Sequence, residues 1–218
     1  MKLLSAIFSR SAKYPDVLLV MTGIFIFALY IHEGSWLIVV SFAGLFLSAL
    51  IIGNFIITRH NLYIIFGSFY FSWRLAGYIA AGLVAGSALA LVFRHFFSNS
   101  LFPGTFAKFT IIAPLIGISE ELIFRGYVQG RIRESSRVIS VAVAAGGHTL
   151  YKFILLKTLT DSSGIDFPFL ITWTLIGGVI FGTLRDLSDN ILPPSLAHAC
   201  FDILVYGGLA TAPFWVWA

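Results

Sequence analysis

Seven apolar runs with almost no charge inside them limit what this chain of 218 residues can fold into. They fall at about 16–32, 36–58, 75–94, 107–127, 138–156, 167–185 and 192–210, and a helix crossing the bilayer core needs roughly 20 mostly apolar residues. In lipid every backbone polar group must be satisfied internally, which favours helices for runs of this length. Composition agrees. Only 11% of residues are charged and 58% are hydrophobic, against roughly a quarter charged in a soluble domain. Too few ionic groups remain to cover a water-facing surface. The expected fold is all-α, a polytopic transmembrane helical bundle of about seven spans, forming a single integral membrane domain over residues 1–218.

The net charge is +4, and the 14 basic residues sit mainly between the runs. They form no continuous stripe, which argues against a nucleic-acid partner. They instead set orientation. Lys2, Arg10, Lys13, Arg59, Arg74, Arg131, Arg133, Arg137 and Arg185 fall on one set of loops, and Glu33, Arg94, Lys108, Lys157, Asp161 and Asp166 on the other. The positive-inside rule then puts the N-terminus in the cytoplasm and the C-terminus outside, in what is expected to be the plasma (inner) membrane. The opening stretch has too short an apolar core for a signal peptide.

Smaller features complete the organisation. The first run is short, and is expected to tilt inward or lie interfacially. The aromatic-rich stretch Asn61 to Arg74 reads as a helix on the membrane surface. Gly82 with Gly86, and Gly178 with Gly182, are small-xxx-small pairs at which helices pack closely. Pro193 and Pro194 sit where the last helix starts, a place where missing amide donors cost little. Cys200, the single cysteine, reads as a small buried hydrophobe. Arg185, Asp186 and Asp189 read as a solvated cytoplasmic loop.

Ionisable groups inside spans are expensive and mark function by default. Here they are Glu120 and Glu121, His148, and His198 with Asp202. Neighbours on a helix are about 100° apart, so Glu120 and Glu121 face different directions. Glu121 and Arg125 stand at i,i+4 in the favourable acid-first order, which leaves Glu120 as the free carboxylate. His198 and Asp202 share a face at the same spacing. With a rise of about 1.5 Å per residue, Glu120, His148 and His198 lie roughly 9 to 15 Å from the cytoplasmic ends of their helices. Three helices thus bring polar groups to one level, in the cytoplasmic half. Buried hydrogen bonds that merely staple helices together explain one such histidine, but explain the matched set less well. Lys152, one turn after His148, is expected to snorkel to the outer interface.

The stretch EELIFRGYVQGRI resembles the first motif of the CAAX-protease and bacteriocin-processing (Abi) family, Glu-Glu-x-x-x-Arg followed by Gly. GVIFGTLRDLSDNILPPSLAHACFD is similar to that family's last block, which ends His-x-x-x-Asn/Asp. His148 falls where the family has Phe-x-x-x-His, with Ala144 in the place of the Phe. The family core would span about residues 107–210. The resemblance implies an intramembrane endopeptidase acting on a peptide or a lipidated protein in the bilayer. It implies Glu120 as general base, His148 orienting the water, His198 polarising the carbonyl with Asp202 beside it, and Glu121 and Arg125 as supports.

Asp202, standing where Asn is common, leaves two options: it orients His198 through a hydrogen bond, or it joins Glu120, His148 and His198 as ligands of a divalent metal such as zinc. The HExxH pattern is absent, and no metal is the favoured reading. Two alternatives come from other classes. One is a non-catalytic scaffold or bacteriocin self-immunity factor of the same fold. The other is a transporter.

Overall fold

The computed structural model describes residues 14–34, 36–59, 62–68, 70–97 and 100–210. It is all-helical, and among the described residues the only β-type pairing is an isolated bridge between Gly67 and Asn190. The helices are α1 (Pro15–Tyr30), α2 (Leu37–Arg59), α3 (Leu62–Phe66), α4 (Trp73–Phe96), α5 (Phe109–Glu121), α6 (Gly130–Arg133), α7 (Arg137–Lys157), α8 (Phe167–Ser188) and α9 (Leu192–Tyr206). A π-helical segment, Leu122–Gln129, joins α5 to α6 without a break.

Four of these helices are long and apolar enough to cross a membrane: Leu37–Thr58, Trp73–Phe96, Arg137–Lys157 and Phe167–Ser188. The protein is therefore a polytopic helical membrane protein. Its outer surface is apolar, with Ile57, Val84, Ile111 and Val138 all exposed, as a hydrocarbon solvent requires. α1 has 16 residues and buries Val17, Val20, Ile24 and Ala28.

Local chemistry sets the helix starts. Ser72, Ser136 and Asp166 each accept a hydrogen bond from an amide in the first turn that follows, those of Leu75, Ile139 and Phe169. Pro193 and Pro194 lie buried in the first turn of α9. The glycine pairs act as expected. Pro193 and Ala197 present backbone carbonyls to Gly82 and Gly86 so closely that any Cβ there would collide with them. Gly178 and Gly182 of α8 make a looser crossing, where a Cβ would come within 3.0 Å of the Ala145 and Val141 side chains of α7. A third close crossing uses a small-xxx-small pair outside the two glycine pairs, Gly44 with Ser48. Gly23 of α1 faces Gly44 of α2, and Ser48 donates to the carbonyl of Val20 at 3.0 Å.

Two expectations about the connecting segments are corrected. The stretch from 61 to 74 is not one surface helix: α3 stops at Phe66 because Gly67 turns with φ +78, a conformation open to glycine without strain. The chain then runs back along Asn190, with Ser68 donating to the Asp189 carbonyl at 3.1 Å and Ile191 to that of Phe66 at 3.0 Å. Residues 61 and 69 lie outside the described residues. Nor is Arg185 solvated. It is 2% exposed, and its guanidinium donates to the Ile64 carbonyl at 3.0 Å, closing the end of α3. Asp186 and Asp189 are ion-paired with Arg133, the former at 2.8 Å.

Candidate active site

Glu120 and Glu121 occupy the last turn of α5, immediately before the π-helical segment. Widened turns of that kind recur at functional sites because they re-aim side chains relative to a regular helix. α7 contributes His148 and Lys152 one turn apart, and α9 contributes His198 and Asp202 at the same spacing. Thr110 of α5 donates to the carbonyl of Gly207 at 2.9 Å, tying the start of α5 to the far end of α9.

The structure brings the expected residues together. Oε2 of Glu120 lies 3.0 Å from Nε2 of His148 and 3.8 Å from Nε2 of His198. The two imidazole centroids are 5.9 Å apart. All four groups, Asp202 included, are buried. Glu120 is not free, however: its Oε1 meets the ammonium of Lys152. Lys152 therefore turns inward instead of snorkelling outward. An ion pair with a buried carboxylate outweighs the gain from reaching an interface.

Glu121 is the hub of a second layer. Its Oε1 accepts from Arg125 Nη1 at 2.9 Å and from His198 Nδ1 at 2.9 Å. The same Nη1 stands 3.2 Å from His148 Nδ1. A guanidinium only donates, so His148 Nδ1 accepts and the ring proton sits on Nε2, which donates to Glu120. His198 instead donates from Nδ1 to a carboxylate. The two rings are thus held in opposite senses by one Glu–Arg pair, with both members fully buried. The expected i,i+4 pair is present, and it reaches both imidazoles.

Asp202 does not orient His198 by a hydrogen bond. Its Oδ1 is 3.8 Å from His198 Nε2, beyond hydrogen-bond range, and Glu121 takes that role on the opposite nitrogen. Asp202 fits against α5 because residue 117 is glycine: a Cβ there would strike the Asp202 carboxylate and come within 3.0 Å of the His198 ring. Ala144 is buried. Phe124, from the π-helical segment, stands with its centroid 5.0 Å from that of His148 and supplies an aromatic face to the ring. Phe181 does the same for His198 at 5.4 Å.

The polar groups open onto a cavity of about 140 Å³, whose remaining wall includes Leu89, Phe93, Phe169, Trp173 and Phe201. A void of this order accommodates a benzene-sized group. The arrangement couples a carboxylate to an N–H donor, a second imidazole and an apolar recess for one side chain.

Glu120 is engaged by an ammonium and an imidazole, His148 Nδ1 by a guanidinium, and His198 Nδ1 by Glu121. Among the described residues, no group of three or more His, Cys, Asp or Glu side chains is disposed to hold an ion.

Residues 102–204 match the family model described as Type II CAAX prenyl endopeptidase Rce1-like. Glu120, Glu121, Arg125, His148, Lys152, His198 and Asp202 all lie inside that segment. No curated protein and no solved structure matches the chain.

Proposed function

We propose, on the premise that residues 102–204 belong to the Rce1-like CAAX-protease family, that the chain is an intramembrane endopeptidase. The observation that carries this reading is one carboxylate oxygen of Glu120 facing two imidazoles inside a partly apolar cavity. General-base catalysis needs a group within hydrogen-bond reach of the proton that it removes. Stabilising an oxyanion needs donors aimed at it. Both are at hand.

In the proposed reaction, Glu120 takes a proton from water as the oxygen attacks the scissile carbonyl carbon. The carbonyl electrons move to oxygen, and the oxyanion accepts a hydrogen bond from His198 Nε2. A ring donating from both nitrogens carries two protons, and the carboxylates of Glu121, Glu120 and Asp202 around it balance that charge. Collapse of the intermediate breaks the C–N bond, and the proton held by Glu120 passes to the leaving amine. His148 holds the base by its Nε2–H throughout. Lys152 fixes the other carboxylate oxygen. No step needs a metal in this scheme. Zinc measured in the purified protein, with and without His198→Ala, tests that point: stoichiometric zinc lost in the variant would replace the scheme with a metal-dependent one.

The substrate is proposed to be a membrane-associated peptide or protein, lipidated or not, approached from the bilayer. Seven spans, a cytoplasmic N-terminus and a site in the cytoplasmic half complete the reading. The test is to compare membrane peptides and protein termini in cells carrying the wild type and Glu120→Gln. Cleavage products should vanish in the variant. An identical set of products and an unchanged phenotype would favour a non-catalytic scaffold instead.

A further inference from the structure

A second recess lies away from the Glu120 site, where the ends of α3, α6 and α8 meet the starts of α4 and α7. Its volume is about 340 Å³, and it is lined by Ser68, Ser72, Arg74, Arg133, Arg137 and Asn190, among others. Its walls are fixed by backbone pairing: Gly67 bridges Asn190, and the Asn190 side-chain amide donates to the Ser68 carbonyl at 2.5 Å.

Charge in this recess is unevenly compensated. Arg133 is satisfied by Asp186 and Asp189 together. Arg137 is not: its side chain is 68% exposed, and it stands 3.9 Å from an Asp186 oxygen that Arg133 already holds at 2.8 Å. Arg74 is exposed, and its hydrogen bond goes to the hydroxyl of Tyr78 at 3.4 Å. Three lining arginines against the two lining aspartates leave one positive charge in excess, and the exposed guanidiniums of Arg74 and Arg137 present it to the recess. Arginine is the side chain best shaped for a phosphate, which it binds through two parallel N–H donors.

Depth comes from a separate observation. Between α3 and α4, Tyr70 is 86% exposed and Phe71 71%, and Trp73, the first residue of α4, is 89% exposed. Tyr and Trp concentrate where the hydrocarbon meets the headgroups, so these rings place the rim of the recess at headgroup level.

We propose that this recess binds the phosphate-bearing headgroup of an anionic membrane lipid, with Arg74 and Arg137 as the recognising groups and Tyr70, Phe71 and Trp73 resting on the acyl chains below. The shared chemistry is a phosphate mono- or diester. A membrane lipid is the source favoured by the aromatic rim, and free phosphate is the other. The proposal does not depend on the chain being a protease.

The test is lipid retention by native mass spectrometry and thermal melting in neutral detergent, with phosphatidylglycerol, phosphatidylcholine or inorganic phosphate added. Wild type should retain phosphatidylglycerol over phosphatidylcholine and melt higher in its presence, while phosphate at the same concentration changes neither. Each basic side chain near an anionic surface strengthens binding by about fivefold. Losing both in Arg74→Gln/Arg137→Gln should therefore weaken retention about tenfold or more, with the lipid-free melting point unchanged. Should the double variant melt early, Arg74→Gln alone gives the same comparison at an exposed site. No preference in wild type, or a preference kept in both variants, would overturn the proposal. Phosphate reproducing and displacing the lipid effect would assign the recess to a free anion.

Discussion

Glu121 and His198 are joined by a 2.9 Å hydrogen bond between helices that lie 77 residues apart in sequence. Through Arg125 the same carboxylate reaches His148. The second glutamate of the Glu-Glu pair thus sets the orientation of both imidazoles, while the first faces them. A helix places adjacent side chains about 100° apart, and here that angle separates a candidate base from the frame that holds its partners.

Replacing Glu121 by Gln should therefore cost both activity and stability. Arg125 would be left as a buried guanidinium without a counter-charge, and breaking a buried pair in this way typically costs about 3–5 kcal/mol. Second-layer losses lower activity by about 10- to 100-fold. Thermal melting and peptide hydrolysis in detergent read the two effects. Wild-type values for both would mean that the hub does not hold the rings.

Lys152→Met should lower hydrolysis by at least about tenfold while leaving membrane insertion and expression intact, because Glu120 loses the cation on its Oε1. A lysine that merely snorkelled would show full activity after this change. Turnover and KM measured separately locate the effect. A fall in turnover at constant KM is expected of a group acting through the base.

Gly117→Ala should disturb the site from a position with no functional group. Its Cβ would enter the space of the Asp202 carboxylate and the His198 ring, and overpacking of this kind costs about 1–3 kcal/mol. Ala at Gly146, where a Cβ meets nothing within 4 Å, is the matched control. Equal activity in the two variants would show that α9 yields freely at this level.

The cluster at the turn between α8 and α9 should carry an acid-dependent part of the stability. Partial burial alone would raise the Asp189 pKa, but the Tyr63 hydroxyl and the Arg133 guanidinium beside it outweigh burial and hold it below the usual 3.8. A depressed carboxylate stabilises the fold above its unfolded pKa, and that contribution fades as pH falls through the lower folded value. Melting temperatures should drop below about pH 4, and Asp189→Asn, which tolerates the left-handed backbone at φ 53, should flatten that drop. A parallel decline in both proteins would assign the acid sensitivity elsewhere.

Much of this site was legible in the chain. Glu120, His148, His198 and Asp202 stood out because lipid makes ionisable groups conspicuous, and the i,i+4 order of Glu121 and Arg125 identified their pairing. Lys152 was misread because a long basic side chain near a helix end normally reaches outward, and only the partner on α5 reverses that. Arg185 was misread because its apolar run stops beside it, whereas the helix continues to Ser188 and the carbonyls it binds come from α3, about 120 residues away. The surface helix failed at Gly67, whose left-handed turn depends on a backbone approaching from residues 189 and 190. Each miss traces to a partner remote in sequence.

Every ionisable group of the site belongs to the later half of the chain, yet the helix bearing His198 rests on two glycines of α4. Excising residues 102–204 would keep the motif letters and remove the bed on which one of its imidazoles lies. The smallest unit able to assemble this chemistry must include α4, and a methyl group added at Gly86 would push against the Ala197 carbonyl, next to His198 in the chain.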